Sequence, residues 1–206
     1  MRNYFDFCIT GDIHSDVKEY FSLHNRMDIY EHTLDVIKEL QYIRNLTGHI
    51  EDGSLIACYC HDLGQIVKVE DIIEFCLKNN ISLLDGEKSA PSIIHQKISC
   101  LLAEKVFKIG NSEILDAIRY HTTSRKNPGN IEIEVFLADK MSWKEAGYRE
   151  LAIKIKNTIR LSKEAALLHY LDNLNSCKGV IPFYHPDSQE AYEYFKKLAI
   201  TKNNSV

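Results

Sequence analysis

Glycine and proline are scarce in this chain, nine and four among 206 residues. So few chain breakers exclude a collagen-like or low-complexity chain and leave room for uninterrupted elements. Strict alternation of apolar and polar residues is nearly absent. Ile131-Glu-Ile-Glu-Val135 is the one tempting stretch, and it runs straight into Phe136-Leu-Ala-Asp-Lys-Met141, so it reads as a helix start. The six cysteines (Cys8, Cys58, Cys60, Cys76, Cys100, Cys177) form no C-x-x-C pair, and Cys58 and Cys60 sit on an apolar run where small core hydrophobes belong. No uncharged apolar run approaches the roughly 18 residues of a membrane helix. The opening Met-Arg-Asn-Tyr-Phe-Asp does not have the pattern of a secretion signal. A basic surplus is missing too: the formal charge is −4, which argues against a dedicated nucleic-acid binder. These absences together predict a reduced, cytoplasmic chain with no membrane and no nucleic acid among its partners.

Apolar spacings of three and four residues recur almost throughout, so the expected fold class is all-α. The pattern predicts helices at about 12–24, 27–46, 52–61, 70–79, 91–108, 112–121, 131–142, 147–175 and 187–202. Gly48 and Gly110 are expected C-terminal stops, Asn111 an N-cap and Pro91 a first-turn residue. Asp187 and Glu190 have capping-box spacing. The stretch 80–91 reads as a surface loop bordering a substrate site. The Lys154…Lys163 run reads as a solvated face. No linker or repeat divides the chain, so 1–206 is expected to be one unit, with a core at about 27–145 and C-terminal helices at about 147–202 packed on it.

The chemistry-bearing residues lie on the inward stripes of these helices. His32 precedes Val36, Leu40 and Ile43 at helical spacing; His95 shares a face with Ile98, Leu102 and Val106. His121 follows Ile114 and Ile118, and Asp139 follows Val135 and Phe136. His61-Asp62 closes the run Leu55-Ile-Ala-Cys-Tyr-Cys60. An ionised carboxylate or imidazole on a core-facing stripe costs several kcal/mol, about 2–7 even for a neutral polar group, unless something compensates it. One such residue is ordinarily a hydrogen-bonded core histidine, the reading given to His14, His24, His49, His169 and His185. Six together point to a metal centre, and six ligands exceed what a single open site uses. Two ions sharing Asp62 are the economical arrangement. Fe, Mn, Zn, Co or Ni suit such donors.

The order His…His-Asp…His…His…Asp resembles the HD-domain metal-dependent phosphohydrolases. The closer likeness is to the YqeK-type branch, associated with symmetrical hydrolysis of diadenosine tetraphosphate. It is carried by Glu31-His-Thr-Leu, Cys60-His-Asp-Leu-Gly, Ile93-Ile-His-Gln-Lys-Ile-Ser, Ile114-Leu-Asp-Ala-Ile-Arg-Tyr-His-Thr-Thr and Phe136-Leu-Ala-Asp-Lys-Met-Ser-Trp. The resemblance implies a compact helical bundle around a dinuclear site, with Fe the expected metal, His32, His61, Asp62 and Asp139 on one ion and Asp62, His95 and His121 on the other. His61 and Asp62 would be central to catalysis, two metals would activate a water, and the products would be two ADP. Thr122, Arg125, Lys140 and Lys97 become expected contacts to a nucleotide substrate. Two positions depart from the pattern: Gln65 and Ile29 stand where relatives carry Lys and Arg, so another nucleotidase or phosphodiesterase activity stays open. A di-iron oxygenase and a non-catalytic binding module are the more distant readings. The oligomeric state is not legible, and a homodimer stays open.

Overall fold

The computed structural model describes residues 3–203, and the described residues form helices and turns with no strand. The helices are α1 (Ile13–Leu23), α2 (Met27–Thr47), α3 (Asp52–Cys60), α4 (Ile72–Lys78), α5 (Asp85–Ser89), α6 (His95–Lys105), α7 (Ser112–Tyr120), α8 (Asn130–Met141), α9 (Arg149–Thr158), α10 (Lys163–Ser176) and α11 (Pro186–Asn203). None of them is long and apolar enough to cross a membrane.

Helix α8 is the axis of the packing. Every residue from Ile131 to Met141 is buried, and the helix touches α2, α3, α7, α9 and α10. A helix apolar on one side only would leave a face in water, but α8 is enclosed on all sides, so its polar residues need internal partners. Glu134 finds three: the Glu51 N–H at 3.0 Å, the Ser54 hydroxyl at 2.5 Å and Lys163 Nζ at 2.8 Å. That carboxylate ties α8 to α3 and α10. The Lys154…Lys163 run is therefore not simply a solvated face, since Lys163 is half withdrawn into this contact and Lys156 bonds Glu39 at 2.8 Å.

Several predicted ends are where the chemistry put them. Gly48 caps α2 with φ +79, the left-handed conformation that glycine adopts without a Cβ penalty. The Asn111 side chain accepts from the N–H groups of Glu113 and Ile114. Other expectations need correction. The helix expected over 147–175 is two, because Ser162 turns extended and its hydroxyl caps Ala165 N, starting α10 afresh. The helix expected over 91–108 begins as a 3-10 turn at Pro91–Ile93, and α6 ends at Lys105, with Lys108 rather than Gly110 taking positive φ. Asp187 does not open a capping box: α11 already starts at Pro186, and the Asp187 N–H donates to His185 Nδ1.

The stretch 80–91 is not a plain surface loop. It contains α5, and within it Glu87 is wholly buried, bonded by Lys97 Nζ at 2.6 Å, by the Leu84 N–H at 2.8 Å and by His185 Nε2 at 3.3 Å. Five helical residues are too few to show an apolar period, which is why the element is invisible as a pattern. Burial pushes the Glu87 carboxyl up, and the bonds from His185, Lys97 and Leu84 outweigh it, holding it at about 2.

Candidate metal centre

The site is built where five helices end or begin near one point. His32 lies in the second turn of α2, His61-Asp62 follow the last turn of α3, His95 opens α6, His121 follows α7, and Asp139 sits in the last turn of α8. Leu63–Ile66 form a 3-10 turn laid against α6. Gly64 makes that approach available: a Cβ there would collide with the His95 carbonyl and lie 2.8 Å from Ser99 N. Its own N–H donates to Ser99 Oγ at 2.8 Å. The close contact sets His95 beside Asp62.

Asp62 faces two ways. Its Oδ2 lies 3.5 Å from His32 Nε2 and 3.4 Å from His61 Nε2; its Oδ1 lies 3.1 Å from His95 Nε2 and 3.5 Å from His121 Nε2. The donor atoms thus fall into two groups that share this carboxylate, His32–His61–Asp62 and Asp62–His95–His121, each with its ligand atoms within 4.8 Å of one another. Asp139 joins the first group through Oδ1, 3.3 Å from His32 Nε2. All six sequence-predicted donors are brought together.

The backbone dictates the tautomers. His61 Nδ1 is 2.8 Å from the Cys58 carbonyl, His95 Nδ1 is 2.5 Å from that of Ser92, and His121 Nδ1 is 2.8 Å from that of Ile118. A carbonyl only accepts, so each Nδ1 carries the hydrogen and each Nε2 turns a lone pair to the centre, the orientation that metal-binding histidines use. His95 and His121 place those lone pairs 2.9 Å apart. His61 Nε2 and Asp62 Oδ1 are buried with no hydrogen bond of good geometry. Buried acceptors aimed at one another without donors are costly, and a divalent cation on each side of Asp62 resolves the conflict. The donor set therefore fits a pair of metal ions.

Charge keeps the two carboxylates ionised and divides the imidazoles. Burial pushes Asp62 up, but His61, His121 and His95 outweigh it and hold its carboxyl well below the usual range. Asp139 is treated likewise by Lys140, whose Nζ donates to Oδ2 at 2.6 Å, and by His32 and His61. Burial and the neighbouring imidazoles push His121 down to about 4 against the pull of Asp62. His32 goes the other way, to about 9, because Asp139 and Asp62 overcome its burial.

The expected substrate contacts divide. Thr122 lines the cavity over the cluster, its Oγ1 3.1 Å from His121 Nε2. Lys140 also lines it but is buried, bound to Asp139, and boxed by the rings of Trp143 and Phe136 at 4.9 and 5.0 Å. Arg125 and Lys97 correct the expectation. Arg125 is committed to Glu132, through bonds of 2.8 Å from Nε and Nη2, and to Asp116 at 2.9 Å. Lys97 turns to Glu87 in a separate cavity of about 520 Å³. Closeness in sequence to a ligand does not carry a side chain into the site when a buried carboxylate lies nearer.

Two further residues position the donors, Gln65 in a role its sequence position did not suggest and Gln96 with no earlier mark. Gln65 Nε2 donates to Asp62 Oδ2 at 2.6 Å, so the position that departs from the lysine pattern still holds the shared carboxylate. Buried Gln96 accepts from the N–H groups of Thr122 and Thr123 through Oε1, fixing the turn after His121. Both stand next to or near a ligand in sequence, which was the available signal.

Comparison with known proteins agrees with this architecture. The chain is 34% identical over 119 residues, 58% of its length, to an uncharacterized protein in the pepC 5' region of Lactococcus lactis subsp. cremoris. It is 28% identical over 116 residues to a symmetrical bis(5'-nucleosyl)-tetraphosphatase of Staphylococcus aureus and 26% over 112 residues to one of Bacillus subtilis, in each case across 53% of its length. These alignments span 61%, 56% and 59% of the relatives' own lengths, less than two thirds. In fold, it resembles the crystal structure of a predicted HD superfamily hydrolase involved in NAD metabolism from Clostridium acetobutylicum. That match has a TM-score of 0.78 at 23% identity, over 90% of this chain and 97% of the other. The HD domain family profile matches residues 29–144, a span that contains all six donors. With more than half its length inside that match, the chain belongs to the HD-domain family.

Proposed function

We propose that this protein is a metal-dependent phosphohydrolase acting on a nucleotide, with symmetrical hydrolysis of diadenosine tetraphosphate to two ADP as the specific reaction. The observation that carries the proposal is the two-sided position of Asp62 between two groups of lone-pair-bearing imidazoles. In this reading His32, His61, Asp62 and Asp139 hold one divalent transition-metal ion and Asp62, His95 and His121 hold the other. Such ions supply a water made acidic near neutral pH and neutralise charge on phosphoryl oxygens.

The chain's own residues do the rest. Nδ1 bonds to backbone carbonyls hold the rings of His61, His95 and His121 with Nε2 turned to the centre. Lys140 keeps Asp139 ionised from beneath, and Gln65 prevents Asp62 from rotating away from its bridging pose. Thr122 presents its hydroxyl at the cavity floor, where it donates to a phosphoryl oxygen. The cavity measures about 1020 Å³, ample for a nucleotide.

The relatives named as symmetrical tetraphosphatases support the specific reaction. Gln65 favours a second reading, another nucleotide phosphohydrolase, because its neutral amide is taken up by Asp62 and brings no positive charge to a phosphate. Protein stripped of metal and reloaded with Mn, Fe, Co, Ni or Zn separates the two. ADP as the sole product of diadenosine tetraphosphate, with little turnover of mononucleotides, supports the first; the reverse preference supports the second. No hydrolysis of any nucleotide under any metal overturns both.

A further inference from the structure

The cavity over the cluster has two chemically different ends. One is the histidine–aspartate floor. The other begins one helical turn beyond Asp139, where Trp143 and Tyr148 meet edge-on, with ring centroids 4.8 Å apart and planes at 62°. Lys140 joins the ends, its Nζ 2.6 Å from Asp139 Oδ2 and 4.9 Å from the Trp143 ring centre.

This corner is left open to water. Tyr148 is 55% exposed and Trp143 is only partly covered. Large aromatic faces lining a cavity are surfaces for a flat apolar partner. The charges around them select among flat partners. Glu145 and Glu150 flank Tyr148, and the nearby Lys154 is taken by Glu150 at 2.7 Å. A second phosphate placed here meets carboxylates; a neutral heterocycle does not. Asn173 lines the same cavity and carries both a donor and an acceptor.

We infer that Trp143 and Tyr148 form the stacking corner for the nucleobase of the substrate, whose phosphate lies over the metal cluster. The inference rests on the phosphohydrolase reading above and adds the part of the substrate that the arm selects. It makes the aromatic arm a specificity determinant and leaves the phosphoryl chemistry to the floor.

Trp143 is the only tryptophan of the chain, so its fluorescence reports the corner directly. AMP and ribose 5-phosphate form a matched pair of probes that share the phosphate and differ by the adenine. Titrated into metal-loaded protein, AMP is expected to quench Trp143 emission and bind about tenfold more tightly than ribose 5-phosphate, the scale of one stacked base. Tyr148→Ala should bring AMP affinity down to that of ribose 5-phosphate, with Tyr148→Phe restoring it. Equal affinities for the two probes with silent Trp143 emission, in protein that still hydrolyses nucleotides, overturn the stacking corner alone. Absence of both binding and hydrolysis overturns the phosphohydrolase reading along with it.

Discussion

The Nε2 atoms of His95 and His121 face each other across 2.9 Å, each ring locked by an Nδ1 bond to a carbonyl three residues earlier. Burial and the neighbouring imidazoles push His121 down to about 4, so its Nε2 offers a lone pair near neutral pH. The pair is a socket for a cation. Metal loading is expected to raise Tm by about 5–10 °C, since a ligand at about a hundred times its Kd adds about 2.7 kcal/mol. His121→Gln should lower metal content from two ions per chain to one, and His169→Gln should leave it at two, both read by elemental analysis. Two ions retained by His121→Gln would contradict the assignment.

Asp62 is shared by both groups, so its loss should be more severe than that of any histidine. Asp62→Asn is expected to lose both ions and at least about a hundredfold in kcat, given what outer and inner ligands contribute. Stoichiometry and turnover measured on the same preparation check it.

Gly64→Ala tests geometry without touching a ligand. The added methyl group meets the His95 carbonyl and Ser99 N, so the 3-10 turn must lift from α6. A loss of about 1–3 kcal/mol in urea unfolding is expected, the scale of overpacking in a tight site, with metal affinity falling alongside. Unchanged metal affinity would mean that α6 follows the turn.

Glu87 supplies a pH dependence remote from the metals. Its folded carboxyl is held at about 2 against an ordinary 4.5, so the unfolded chain takes up its proton first as pH falls. The stabilisation is complete above the unfolded value and is lost as pH falls from about 4.5 through about 2. At neutral pH it amounts to roughly 3 kcal/mol from a shift of this size. Glu87→Gln should lose that amount and flatten the stability profile between pH 5 and 2, measured by denaturant unfolding across about that range.

Arg125→Ala separates fold from catalysis. Its guanidinium bonds Glu132 and Asp116 and does not line the cavity, so about 1 kcal/mol of stability should go while kcat/KM stays within twofold. A tenfold fall in kcat/KM with stability intact would return it to the substrate.

The donors were legible because each is a polar residue continuing an apolar stripe, and the physical cost of that position is large. His32 before Val36 and Leu40, and His121 after Ile114 and Ile118, needed only helical spacing. Lys97 and Arg125 turn to Glu87 and Glu132, partners fixed by tertiary packing that no spacing reveals. The break at Ser162 was hidden for a related reason: one capping hydroxyl outweighs an apolar period that continues on both sides of it. The corner of Trp143 and Tyr148 depends on a turn between α8 and α9, where periodicity is silent.

Glu87 also grips Lys97, two residues into the helix that His95 opens, and His185, the residue just ahead of α11. The last long helix of the chain is thereby moored to the same helix that presents a donor to the centre. A disturbance of α11 at its first turn therefore has a route to His95, through His185, Glu87 and Lys97.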